Sequence, residues 1–308
     1  MKIIFMGTSD FALPTLQKIY QNKEFEIIAV YTKTPSIAGR GHKISYSPIY
    51  QFAQKNNLKI ITPKNFKEKS AIDDFINLQA DIAIVISYGL ILPREILNGT
   101  KFGCYNIHPS ALPLYRGPSP LQESILNNEN ESSVCIIKMD EGIDSGDIVN
   151  QQQYFINSKK DYPIIAQETS EIGAKLMIQT LNQIANNQII LTPQNHKIAT
   201  FTKKIDKSAT QINWQNNCLK IYNQIRAFNG NLFAFFIHDN EKIKILKADY
   251  QIYENLNFKN GEIIDKNFAI KCYDGIILPK ILQREGRKPL LINEFLNGFK
   301  INIGKILS

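Results

Sequence analysis

Through the first two hundred residues, short apolar runs alternate with stretches whose apolar positions recur every three or four residues. This is the pattern of strands feeding helices in an α/β sheet. It predicts strands over 2–6, 26–32, 81–87 and 104–108 and helices over 11–20 and 48–55. The run at 81–87 is nearly all apolar, as in a strand buried on both faces. A strand over 133–139 places Val134, Ile136 and Lys138 on one face and Cys135, Ile137 and Met139 on the other. The clearest helix spans 161–185, where Ile172, Leu176, Met177, Leu181 and Ile184 share a stripe. After about residue 200 the pattern changes to short β-rich runs at 233–237, 242–248, 261–264, 268–272 and 275–282. Turn signals such as His238-Asp239-Asn240 and Asp274-Gly275 separate them, and a single helical segment is predicted over 218–228. The expected fold is therefore α/β: a Rossmann-like parallel-sheet domain over 1–191, a linker over 192–207 and a small OB-like β-barrel over 208–308.

No apolar run approaches the roughly 18 residues of a membrane span, and the apolar stretch after Lys2 ends at Gly7 and Asp10, too early for a signal core. The expectation is a cytoplasmic protein. Its four cysteines are dispersed and form no C-x-x-C pair, which predicts reduced core residues rather than a disulfide framework or a zinc site. Net charge is +8, but it is unevenly placed: residues 1–200 carry 19 basic and 18 acidic side chains, whereas residues 201–308 carry 17 and 10. A basic excess of seven at one end suits a polyanion such as nucleic acid, and equally a solvated basic face.

The turn after the first strand has only Gly7 and lacks G-x-G-x-x-G, which argues against a nicotinamide dinucleotide; Ser9 or Asp10 can cap the following helix. No phosphate-binding G-x-x-x-x-G-K-[ST] loop occurs. The most informative stretch begins at Asn106. Strand alternation puts the Asn106 amide and the His108 imidazole on one side, at the carboxyl end of a sheet strand, where open α/β folds bind ligands. An amide donor beside an imidazole suits a developing oxyanion, although a histidine at a strand end also serves as a plain hydrogen-bonding residue. Downstream, Asp140, Glu141, Asp144 and Asp147 surround Gly142 and Gly146. That loop can be a polar turn, or it can lend a carboxylate to His108; it lacks the ligand order of an EF-hand.

Together these two segments resemble the formyltransferase superfamily that uses 10-formyltetrahydrofolate. Its signature is an Asn-x-His strand, a Ser-Leu-Leu-Pro-like loop followed by Arg-Gly, and a distant acidic Gly-containing loop. The resemblance implies a catalytic triad of Asn106, His108 and Asp144, with Ser110, Ala111, Leu112 and Pro113 as the folate-binding loop, Ala111 standing where leucine is commoner. It also implies a second folate-side loop of Tyr88, Gly89, Leu90, Ile91, Leu92 and Pro93, and no catalytic metal. Along the whole chain the likeness is to members that formylate methionine carried by initiator tRNA, and it departs from them at Ser9 and at Gly230-Asn231-Leu232. On that likeness, a basic loop with Arg40, His42 and Lys43 meets the tRNA acceptor end. Lys203, Lys204, Lys207, Lys244 and Lys247 are candidates for its backbone, and the enzyme is expected to act as a monomer. Two alternatives stand beside this: a sugar-nucleotide amine formyltransferase using the same donor, and an RNA-binding protein in which the Asn-x-His loop is structural.

Overall fold

The computed structural model describes residues 1–38, 43–230, 232–253 and 256–308. They pack as two compact units. The first holds Met1–Pro120, Glu131–Phe155 and Ala166–Thr202; the second holds Leu121–Asn130, Ile156–Ile165 and Lys203–Ser308. The first two hundred residues run β1 (Lys2–Gly7), α1 (Leu13–Gln21), β2 (Glu26–Tyr31), β3 (Ser36–Ala38), β4 (Lys43–Ser45), α2 (Pro48–Lys55), β5 (Ile60–Ile61), α3 (Lys69–Ile76), β6 (Ile82–Ile86), α4 (Arg94–Leu97), β7 (Cys104–His108), α5 (Pro120–Leu126), β8 (Glu131–Lys138), β9 (Ile148–Phe155) and α6 (Tyr162–Ala185).

Seven of these strands form one sheet in the order β5-β2-β1-β6-β7-β8-β9. The first five are parallel, while β8 and β9 return antiparallel. Alternation along β1 explains why the sheet is buried on both faces. Ile3 and Phe5 pack with Leu16 and Ile19 of α1 and with Met177 and Leu181 of α6. Ile4 and Met6 pack on the other face with Tyr31, Phe75 and Ile96. The strand order reverses direction between β1 and β6, so the loops leaving the carboxyl ends of β1, β6 and β7 gather at a switch point, the usual ligand crevice of such sheets. The Thr8 hydroxyl donates to the Tyr88 carbonyl at 3.0 Å and ties two of those loops together.

Several local details differ from the sequence pattern. Neither Ser9 nor Asp10 caps α1: a 3-10 turn over Asp10–Ala12 precedes it, Ala12 holds the cap position and Pro14 supplies the helical φ in the first turn. Strand β9 carries Asn150, Gln151, Gln152 and Gln153, too polar to register as a strand; it pairs along its length with β8, and at Ile148 its other edge meets Thr192.

The second unit contains α7 (Cys218–Phe228), β10 (Ala234–His238), β11 (Glu241–Ile252), β12 (Ile270–Cys272), β13 (Gly275–Arg284), β14 (Leu290–Leu291) and α8 (Ile292–Gly298). Its antiparallel sheet runs β10-β11-β13-β12, with β14 on β13. Register shifts between Ile245 and Ala248 bend β11, as bulges do, and the sheet curls into a half-barrel over Trp214, Ile221, Phe236, Phe268, Ile277 and Phe295. The expected strand at 261–264 is reduced to isolated bridges, Glu262 to Ile306 and Ile263 to Ile270. The strand expected from Phe268 starts at Ile270, because Phe268 has φ 65° and cannot continue an extended run. All four cysteines are free and buried, and two that lie far apart in sequence, Cys218 and Cys272, meet with sulfurs 2.9 Å apart.

One buried cation organises the polar part of this unit. From α7, Arg226 donates to the carbonyls of Lys160 and Asn157 at 3.0 and 2.9 Å and to Asn223 Oδ1 at 2.8 Å. Asn223 in turn donates to Asn128 Oδ1 at 3.1 Å. Burial holds the Arg226 guanidinium below its ordinary pKa and raises the neighbouring Asp161 carboxyl, which Asn229 contacts at 3.0 Å. Replacing Arg226 with Met removes these three charge-assisted bonds and is expected to lower stability by about 3 kcal/mol. Urea denaturation followed through the only tryptophan, Trp214, which lies in this unit's core, reads the change.

Candidate functional site

Strand β7 is hydrogen-bonded on both sides, to β6 and β8, with Asn106 opposite Val85 and Ile137 and His108 opposite Cys135. That pairing fixes the backbone from which Asn106 and His108 project to the same side. His108 is 4% exposed. Its Nε2 lies 2.9 Å from the Tyr115 carbonyl oxygen, and its Nδ1 lies 3.5 Å from Asp144 Oδ2. Each ring nitrogen thus faces an oxygen.

The Asp144 carboxylate is where the site converges. Asn106 Nδ2 donates to its Oδ1 at 3.3 Å, and the Gly117 N–H donates to its Oδ2 at 2.8 Å. Asn106, His108 and Asp144 are therefore brought together. Asp144 has φ 46°, a left-handed conformation that Asp tolerates better than most residues. Within the loop, Asp140 Oδ1 accepts from the Gly142 N–H at 3.1 Å and from the Ser145 hydroxyl at 2.6 Å. Gly146 lies so close to the Lys138 carbonyl that a Cβ there would collide with it.

Two further residues, Arg116 and Gln194, belong to the site and carry no signal of their own in the sequence beyond Arg116 standing before Gly117. Gln194 Nε2 donates to the carbonyls of Asp144 and Gly146 at 2.9 and 2.7 Å. Its Oε1 accepts from Arg116 Nε and Nη2 at 3.1 and 2.7 Å, and Arg116 Nη2 also reaches His196 Nδ1 at 3.2 Å. The segment around Gln194 is stitched down at both ends: Thr192 and Ile148 exchange two backbone bonds at 2.9 Å, and Arg116 pairs with Thr200 and Thr202 at 2.9 and 2.7 Å.

The two loops that the resemblance implies for folate are built differently. Ser110 is buried and its hydroxyl donates to the Leu114 carbonyl at 2.7 Å, while Leu112 packs inward on Cys135 and Ile137. Ala111 and Pro113 stay half-exposed. In the second loop the Tyr88 side chain is buried with its hydroxyl unpaired, and burial raises the phenol's pKa. Gly89 turns with φ 83°, Ile91 is 93% exposed, Leu90 and Leu92 are half-buried, and Pro93 leads into α4.

Of the basic candidates, Arg40 and His42 lie outside the described residues; Lys43 pairs by backbone with Ala38 in the β3–β4 hairpin. Lys203, Lys204, Lys207 and Lys247 are exposed, whereas Lys244 is half-buried with its ammonium 4.9 Å from the Phe233 ring centre. Among the described residues one group, Cys218, Cys272 and Asp274, has donor atoms within 4.8 Å of one another. It does not make a closed zinc site: tetrahedral Zn–S bonds of about 2.3 Å hold two sulfurs roughly 3.8 Å apart. Here the sulfurs are 2.9 Å apart, and Asp274 Oδ1 is already bonded to the Cys218 N–H at 2.7 Å. No helix among the described residues is long and apolar enough to cross a membrane.

Residues 1–181 match the formyl transferase family, and residues 204–300 match the formyl transferase C-terminal domain. A methionyl-tRNA formyltransferase of Rickettsia bellii (strain RML369-C) is 41% identical over 300 residues, covering 97% of each chain. Among solved structures, the sugar 3N-formyl transferase WlaRD, determined with dTDP and 5-N-formyl-THF, superposes with a TM-score of 0.68 at 26% identity, covering 94% of this chain and 99% of its own. The methionyl-tRNA formyltransferase of Clostridium thermocellum shares the fold with a TM-score of 0.59 at 20% identity, covering 82% of this chain and 94% of its own.

Gly117 tests the geometry of the site without reference to any ligand. It has φ 108°, and a Cβ there would press on the Thr202 carbonyl. Gly117→Ala is expected to cost about 1–3 kcal/mol, read as a lowered unfolding midpoint in far-UV circular dichroism.

Proposed function

The chain belongs to the formyl transferase family, and from that premise we propose that it moves the formyl group of 10-formyltetrahydrofolate onto the α-amino group of methionine esterified to initiator tRNA. The observation that carries this reading is the meeting of Asn106, His108 and Asp144 at the carboxyl edge of the sheet, in a chain 41% identical to a methionyl-tRNA formyltransferase over nearly its whole length. The 26% identity to a sugar formyltransferase is lower over a similar span and favours the tRNA substrate.

In this reaction the amine nitrogen bonds to the formyl carbon, the bond from that carbon to folate N10 breaks, and the proton the amine gives up ends on N10, so the donor leaves as tetrahydrofolate. Negative charge builds on the formyl oxygen on the way. Asn106 contributes the amide N–H that Asp144 does not use, and His108 contributes its Nε2–H by exchanging the Tyr115 carbonyl for that oxygen. Asp144 supports positive charge on the imidazole and assists removal of the amine proton. The formyl donor is consumed as a co-substrate. Tyr88, Gly89, Leu90, Ile91, Leu92 and Pro93 on one side, and Ser110, Ala111, Leu112 and Pro113 on the other, hold it; Ala111, Pro113 and Ile91 present the accessible surface, while Ser110 and Leu112 shape the loop from within.

Residues 1–191 carry the chemistry and residues 208–308 the tRNA platform, joined through 192–207. Lys203, Lys204, Lys207, Lys244 and Lys247 meet phosphates there, and Arg40, His42 and Lys43 meet the acceptor end. The enzyme acts as a cytoplasmic monomer.

Two experiments test this reading. With 10-formyltetrahydrofolate and methionine-charged initiator tRNA, wild type is expected to form formylmethionyl-tRNA and His108→Ala to lose about 10²- to 10³-fold in turnover. Donor consumption with an amino-sugar nucleotide but not with charged tRNA would overturn the substrate. For the platform, changing Lys203, Lys204, Lys207 and Lys247 together to Glu is expected to raise KM for tRNA at least tenfold with kcat within about twofold. The same change should flatten the salt dependence of binding, which scales with the number of phosphates neutralised. Unchanged KM and salt slope would remove the C-terminal unit from tRNA binding.

A further inference from the structure

The geometry points to Gln194 as a positioning residue for formyl transfer: its side-chain amide sets the backbone of the Asp144 loop, and Arg116 holds that amide in place. This rests on the reading of Asn106, His108 and Asp144 as the reacting centre.

The orientation of the amide is fixed by its partners. Arg116 has only donors to offer, so the Gln194 atom it contacts is the oxygen; carbonyls can only accept, so the atom facing Asp144 and Gly146 is the nitrogen. Both N–H groups and the oxygen are thereby used, in a side chain 5% exposed against an arginine 3% exposed. Flipping the amide would place N–H against N–H and oxygen against oxygen at every contact, so the group has one stable setting.

The two carbonyls it grips bracket Ser145, on the turn where Asp144 takes its left-handed conformation. A loop with Gly142 and Gly146 has much backbone freedom to lose, and a single buried amide removes it at the residue whose carboxylate must face His108. Arg116 links this to the other side of the ring. Its neighbours in sequence supply the Tyr115 carbonyl that contacts His108 Nε2 and the Gly117 N–H that contacts Asp144. The Arg116–Gln194 pair therefore fixes both loops that provide the partners of the imidazole. Misplacing a reacting group by about 1 Å can cost on the order of 100-fold in rate, so a group that sets such a position acts on turnover rather than on affinity.

Gln194→Glu isolates this role, because a carboxylate still accepts from Arg116 but cannot donate to the two carbonyls. In the charged-tRNA assay, kcat is expected to fall 10- to 100-fold with KM for folate and for tRNA within threefold. On an Asp144→Ala background, the same substitution is expected to change the single-turnover rate less than threefold, since the residue it positions is gone. If Gln194→Glu does not fold, Gln194→Met, similar in length and without a donor, takes its place in both measurements. Turnover within threefold of wild type, or the full loss persisting on the Asp144→Ala background, overturns the inference. Failure of wild type to form product, or full activity of Asp144→Ala alone, would instead overturn the assignment of the reacting centre.

Discussion

The whole site depends on one carboxylate being delivered to a strand it does not belong to. Asp144 stands on a glycine-containing loop between β8 and β9, yet its oxygens receive Asn106 and the Gly117 N–H and face His108, from β7 and the loop beyond it. Sheet pairing alone fixes Asn106 and His108, because β7 is locked between β6 and β8. It cannot fix Asp144, which sits outside any strand at φ 46°. The chain solves this with a second layer of buried hydrogen bonds, in which an arginine, a glutamine and the segment from Thr192 to Thr202 bind both loops. In a low-dielectric interior each of these contacts is strong when made and costly when lost, so the arrangement is held to one geometry.

How much of this was legible in the sequence follows from the range of each interaction. β7 was readable because alternation is a local property: with Tyr105 and Ile107 facing the core, Asn106 and His108 must share the other side. Parallel strands with both faces buried, such as Ile82–Ile86, announce themselves by composition. Asp144 became identifiable only through likeness to a family, since nothing in a Gly-Asp loop says which carboxylate will turn inward. Gln194 was invisible: one glutamine among many polar residues, tied to the Asp144 loop together with Arg116, which lies 78 positions earlier in the chain.

The failures in detail have the same origin. Strand β9 was hidden by its glutamines, because an edge strand is specified by its partner's exposed backbone rather than by its own apolar content. Helix α8 was not foreseen, although Ile292, Phe295 and Leu296 share one face against the second unit's core. Its seven residues give too little periodicity to stand out. Phe268, read as the start of a strand, is a left-handed turn residue whose ring is nevertheless buried against Phe236, Phe295 and Phe299. There packing outweighs backbone preference. The uneven charge was legible from counting alone, but which lysines reach solvent was not: Lys203, Lys204, Lys207 and Lys247 do, while Lys244 leans on Phe233.

In the proposed reaction the negative charge of Asp144, at this position, promotes the chemical step. Asp144→Asn keeps the shape and an acceptor oxygen while removing the charge. Its single-turnover rate of formyl transfer, with enzyme in excess over charged tRNA and 10-formyltetrahydrofolate saturating, is therefore the most direct test. A fall of at least about 100-fold, with tRNA affinity unchanged, is the expected result. A rate within threefold of wild type would show that formyl transfer does not depend on this charge.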